Sequence, residues 1–124
     1  MRRATIAAAG LGLLAGPALG QDDGSAYDAD TVGELVEACS TTDIDPNGAV
    51  GTAFCHGYIL GAGHFYLEMV RGNAIQRIAC ADPPPTLNEI RLTFVDWAAT
   101  NPGRAEDKAI DGLMAAAAAK WPCS

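Results

Sequence analysis

Both histidines of the chain, His56 and His64, fall in one twelve-residue stretch, FCHGYILGAGHF, with Cys55 beside the first. Imidazole and thiolate are the side chains that hold zinc or pass protons near neutral pH. Their spacing does not support either chemistry. On a helix, eight positions amount to about 80° beyond two full turns and about 12 Å of rise. The two rings cannot share one ion unless a third element folds between them. No HExxH pattern is present, and Cys55 has three potential disulfide partners. The histidines therefore read as partly exposed residues beside a core, and no metal site is expected.

A second stretch with ligand-like residues is DIDPNG, 43–48. Asp43, Asp45, Asn47 and Gly48 match positions 1, 3, 5 and 6 of a calcium-binding EF-hand loop. Position 12, which should be a bidentate Glu, is Phe54, and Pro46 stiffens position 4. Without the closing ligand the stretch reads as an acidic inter-helix turn. It has another use. An acidic turn rigidified by proline and placed next to a cysteine is preorganised, which lowers the ordering cost of binding. Asp43, Asp45 and Asn47 are therefore the candidate partner-binding residues, with the turn 101–103 as the rival. Gly10, Leu11 and Gly12 begin a nucleotide-loop pattern, but no strand precedes them. No serine nucleophile motif or phosphate loop occurs. Neither catalysis nor a cofactor is expected.

The elements that must position these residues are helices. Thr31 and Glu34 match a capping box, opening a helix with Val32, Leu35 and Val36 inward. It should end over 39–42. A second helix is predicted from about 50 to 71, with Gly72 and Asn73 as its stop. A further helical turn is expected over 74–79. The run of prolines 83–85 excludes helix. Thr86 and Glu89 form another capping box, before Leu87, Ile90, Phe94 and Trp97 at three-to-four spacing. The turn 100–103 stops that helix. A fourth is predicted over 104–120, with Ala109, Leu113, Ala116 and Ala117 on one face. No stretch alternates like a strand. The fold class is all-α, a small up-down bundle of about four helices.

The glycines of the histidine-bearing stretch also call for a reason, since each costs a helix about 1 kcal/mol relative to alanine. Gly57 and Gly61 are four apart, flanked by Phe54, Tyr58 and Phe65. They read as a seam where a second helix backbone comes close.

Residues 1–20 have the anatomy of a secretory signal peptide. Arg2 and Arg3 are followed by an apolar run over 4–16, then Ala18 and Gly20 at −3 and −1 of a cut before Gln21. The run is short for a bilayer span. Residues 21–30 read as a flexible leader and 31–124 as one helical domain. All fifteen acidic residues lie after the cut, with six of the eight basic ones, a net charge of −9. Such a chain does not attract nucleic acid or anionic lipid headgroups. Export to the periplasm puts the cysteines in an oxidising compartment, where an even number implies disulfides. Of three connectivities, antiparallel neighbours favour Cys39–Cys55 and Cys80–Cys123. In an up-down order each pair then falls at a common end, and the other pairings exceed disulfide reach.

The order of motifs resembles a known family. Cys39 is followed by Phe54-Cys55-His56-Gly57-Tyr58-Ile59-Leu60-Gly61, then Cys80 with prolines after it, Asn101-Pro102, and the terminal Trp121-Pro122-Cys123. This is similar to the Rap/Tai immunity proteins, whose pattern runs FCxGYIxG, Cys-x-Pro, an Asn/His-Pro turn and an aromatic-Pro-Cys end. Here Ala81 and Asp82 separate Cys80 from the prolines, one residue more than that pattern. The resemblance implies a helical, disulfide-containing periplasmic protein, often a homodimer. It further implies a non-catalytic inhibitor of a type VI secreted peptidoglycan amidase. The competing expectation, from another class, is a generic periplasmic binding or acid-stress chaperone-like protein with no amidase partner.

Overall fold

The computed structural model describes residues 29–124. The expected signal peptide and nearly all of the expected leader lie outside the described residues. The elements are α1 (Val32–Cys39), α2 (Gly48–Arg71), α3 (Leu87–Thr100), a 3-10 turn (Pro102–Arg104) and α4 (Ala109–Lys120). No strand occurs among the described residues, only an isolated bridge between Thr31 and Lys108. The architecture is the helical bundle expected.

Both capping boxes are present. The Thr31 hydroxyl accepts from the Glu34 amide at 3.3 Å, and the Glu34 carboxylate accepts from the Thr31 amide at 2.8 Å. Thr86 and Glu89 repeat the arrangement at 3.2 and 2.7 Å. Each cap satisfies amides that the first helical turn cannot, at about 1 kcal/mol per cap.

α1 is short but central: Val32, Leu35, Ala38 and Cys39 are all buried. Phe94 of α3 is the largest fully buried side chain, and Ile59, Ala109, Leu113 and Ala116 complete the core. Cys39 and Cys55 join within that core, both fully buried. Cys80 and Cys123 join at the exposed end of α4. The expected pairing is therefore the observed one. The alternation expected holds between α3 and α4. By contrast, α1 and α4 start from the same end, where the Ala109 amide donates to the Asp30 carbonyl at 3.0 Å.

Three local expectations are corrected. The fourth helix does not begin at 104. Residues 101–108 instead form the 3-10 turn and a link whose carbonyls serve α1. Asp107 accepts from the Val32 amide and Ala105 from the Gly33 amide, each at 2.9 Å. Tertiary capping of one helix has displaced the first turn of another. The helical turn expected over 74–79 is absent: 74–75 form a bend and 76–81 have no regular secondary structure. Asn73 takes a left-handed φ of 56° and turns the chain out of α2. The amides of Ile78 and Ala79 then donate to the Tyr66 hydroxyl. The Cys80 amide donates to the Trp121 carbonyl at 2.8 Å. The backbone groups of this strap are met by tertiary partners rather than by a helical ladder.

The glycine seam is the third correction. A Cβ on Gly57 or Gly61 would meet nothing within 4 Å. The buried positions of α2 are Gly48, Gly51, Cys55 and Ile59. Two residues from Cys55 means about 200° around the helix, so Gly57 faces away from the core. Close approach occurs instead at Gly112 of α4. A Cβ there would overlap the Val32 Cγ2 and lie 3.2 Å from the Trp97 ring. Phe54 and Tyr58 do pack against the core, whereas Phe65 is 68% exposed.

Candidate partner-binding site

The turn between α1 and α2 is built from Thr41 to Gly48. α2 starts at Gly48, about two residues earlier than the sequence periodicity suggests. Glycine is required there by close approach. A Cβ at position 48 would overlap the Thr42 carbonyl oxygen and lie 2.8 Å from its carbon. The turn is thus folded flat against the first residue of α2. Thr41 fastens it from the other side, with its hydroxyl 2.9 Å from the Ala38 carbonyl and 3.2 Å from that of Gly48. Backbone bonds from Asp45 to the Thr42 carbonyl and from Gly48 to the Asp45 carbonyl, at 3.0 and 2.9 Å, close two successive turns.

Asp43, Asp45 and Asn47 are all exposed on this turn. Their roles differ. The Asp45 carboxylate accepts from the Thr42 amide at 2.6 Å and the Thr42 hydroxyl at 3.0 Å. Those bonds favour the charged form and hold its carboxyl below the ordinary 3.8, the backbone amide contributing most. Asp45 therefore shapes the turn. Asn47 is the N-cap residue of α2, its carbonyl accepting from Gly51 at 2.9 Å. Asp43 presents its carboxylate outward. Between the two aspartates stands Ile44, 93% exposed. Sequence reasoning passed over it, because a lone apolar residue in a polar turn carries no periodic signal. The Cys39–Cys55 bond sits directly beneath the turn, tying the end of α1 to the second turn of α2. Arg91 of α3 adds a third anchor, its guanidinium donating to the Cys39 carbonyl at 2.7 Å. The rival turn at 101–103 is engaged in capping: the Asn101 side-chain amide donates to the Trp97 carbonyl at 2.8 Å.

Among the described residues, no three His, Cys, Asp or Glu side chains converge as metal ligands would. His56 and His64 lie on α2, His56 half-buried and His64 exposed. What the turn offers is a fixed, acidic protrusion with an apolar tip.

The family model of the Rap1a immunity proteins matches residues 31–123, from the cap of α1 to the last cysteine. The chain belongs to the Rap1a immunity protein family. No curated protein and no solved structure matches it. Every described element of this Rap1a-family chain lies within the match, including both disulfides and the turn 41–48. Membership implies a secreted effector as binding partner. Among the described residues no helix is long and apolar enough to cross a membrane.

Proposed function

We propose that this protein is a periplasmic, non-catalytic immunity protein that binds a type VI secreted cell-wall amidase and occludes its catalytic groove. The observation that carries this reading is the family match over residues 31–123. The motif order FCxGYIxG to Pro-Cys, similar to the Rap/Tai pattern, supports an amidase as the effector, and the amino-terminal features support export. Inhibition by occlusion needs no bond to be broken. It needs a shape that enters a groove and stays ordered while doing so.

The turn 41–48 has those properties. In this proposal Ile44 enters the groove as an apolar anchor and Asp43 meets donors at its rim. Asp45 and Thr42 keep the protrusion in its bound shape, so little ordering entropy is lost on association. We take the homodimer implied by the resemblance as the working state, to be measured by sedimentation.

The test is co-expression with candidate amidases directed to the periplasm, scored by lysis and by pull-down. Protection and a stable complex are expected with the cognate enzyme. A folded double variant, Asp43→Lys with Ile44→Ser, should lose both. Lysis unrelieved by the wild-type protein, with no complex for any effector amidase of the same genome, would overturn the immunity reading. Protection unchanged in the double variant would move the contact away from this turn while leaving the function standing.

A further inference from the structure

A cleft of about 250 Å³ lies between the second half of α2, the strap 76–85 and the last turns of α4. Its walls are apolar, with Ile59, Ala62, Leu113, Met114, Ala117 and Trp121 facing it. The volume is close to the lower end of small-molecule sites, about 300 Å³. The strap that forms one wall is held in place, because Cys80 is bonded to Cys123 and its amide to the Trp121 carbonyl.

Three residues on its wall carry polar side chains, Tyr66, Arg77 and Trp121, and each has a proton to donate. Arg77 is the only charged residue on its wall. The ion pairs among the described residues, Arg71–Glu68 and Arg104–Asp107, do not involve it. The Tyr66 hydroxyl oxygen already accepts from Ile78 at 2.8 Å and Ala79 at 3.2 Å. Its lone pairs are engaged, so its own proton is what remains to offer. The Trp121 indole can only donate. An apolar chamber whose polar side chains offer donors suits a ligand with an apolar body and an acceptor-only end. A carboxylate on an alkyl chain has that chemistry. The chamber's size limits the chain to medium length.

We propose that this cleft binds a medium-chain fatty acid, its alkyl chain against α2 and α4 and its carboxylate on Arg77 and the Tyr66 hydroxyl. The inference does not depend on the immunity reading, and failure of either leaves the other standing.

The experiment is calorimetric titration of the purified protein with decanoate and with 1-decanol. Decanoate should bind at one saturable site, with 1-decanol about tenfold weaker for want of the charge-assisted bond. Arg77→Gln, at an exposed position, should weaken decanoate about tenfold and leave 1-decanol unchanged. Ala117→Leu should weaken both by filling the chamber, with its melting temperature recorded alongside. Absence of saturable decanoate binding would overturn the proposal. So would equal affinity for acid and alcohol with no effect of Arg77→Gln, an outcome that does not depend on how Ala117→Leu folds. Tighter binding of an apolar peptide with a free carboxyl terminus, in competition with decanoate, would overturn it in favour of a polypeptide end.

Discussion

Gly48→Ala and Gly57→Ala make the same chemical change in the same helix, and the structure gives them opposite signs. Alanine favours helix over glycine by up to about 1 kcal/mol, partly through the unfolded chain. At Gly57 nothing stands within 4 Å of the new methyl group, so that gain is unopposed. At Gly48 the methyl would overlap the Thr42 carbonyl oxygen, which is backbone and has no rotamer to yield. Overpacking of this kind costs about 1–3 kcal/mol, and the rigid neighbour places it in the upper half of that range. Subtracting the helix gain leaves Gly48→Ala destabilised by about 1–2 kcal/mol. In a domain of this size 1 kcal/mol moves the melting temperature by about 4–8 °C. Thermal unfolding under non-reducing conditions should therefore show Gly57→Ala raised by about 4 °C. Gly48→Ala should be lowered by about 4 °C or more. The Gly48 variant should also weaken any complex formed through the turn 41–48. Stabilisation by Gly48→Ala would show that the turn does not lie against α2, and would remove the preorganisation on which the contact proposal depends.

The second staple closes a loop of 43 positions. Chain entropy predicts that Cys123→Ala loses about 4 kcal/mol in denaturant unfolding, and non-reducing peptide mapping of the parent protein should recover only the two observed pairs. Arg91→Ala removes the bond that meets the Cys39 carbonyl in a partly buried place. A loss of about 1–3 kcal/mol is expected from urea titration, and a change below half a kcal/mol would mean that water replaces the guanidinium without cost. Asp45 and Glu89 both have carboxyls held below their ordinary values, chiefly by the amides of Thr42 and Thr86. A depressed folded pKa gives stability that is present above the unfolded pKa and lost as pH falls through the folded one. Carboxyl NMR titration should therefore show both groups ionised to lower pH than ordinary Asp and Glu side chains, with the turn 41–48 and the start of α3 loosening as pH falls through those lowered values.

Much of this fold is written in short-range chemistry. Thr31 with Glu34 and Thr86 with Glu89 announce α1 and α3 because a capping box is satisfied within four residues. Phe94, Leu113 and Ala116 are legible as core because their helices keep a regular apolar period. Sequence reading went astray where distant segments decide the outcome. The carbonyls of Ala105 and Asp107 turn to the amides of Gly33 and Val32, some seventy residues away, and no local signal around 104 marks that. Tyr66 likewise satisfies a strap twelve residues downstream, which its place on α2 does not reveal. Gly57 and Gly61 share a helix face, but a shared face does not say whether another helix covers it. At the candidate contact, Asp43, Asp45 and Asn47 were visible as turn residues. That Asp45 is occupied by Thr42, and that Ile44 stands exposed between the aspartates, follows only from the folded geometry.

The first bond joins the two cysteines nearest the amino terminus, and the second joins the two that follow. A polypeptide crossing a membrane amino end first presents Cys39 and Cys55 while Cys80 and Cys123 are still behind. At that moment Cys55 is the only partner Cys39 has. Cys80 then waits for Cys123 with the earlier pair already formed. Under the proposed export, vectorial emergence favours the observed connectivity, and oxidation in order of arrival needs no later reshuffling. α1 has the opposite dependence on arrival. Its first amides are met by carbonyls at 105 and 107, so the helix that emerges first is the last to be completed.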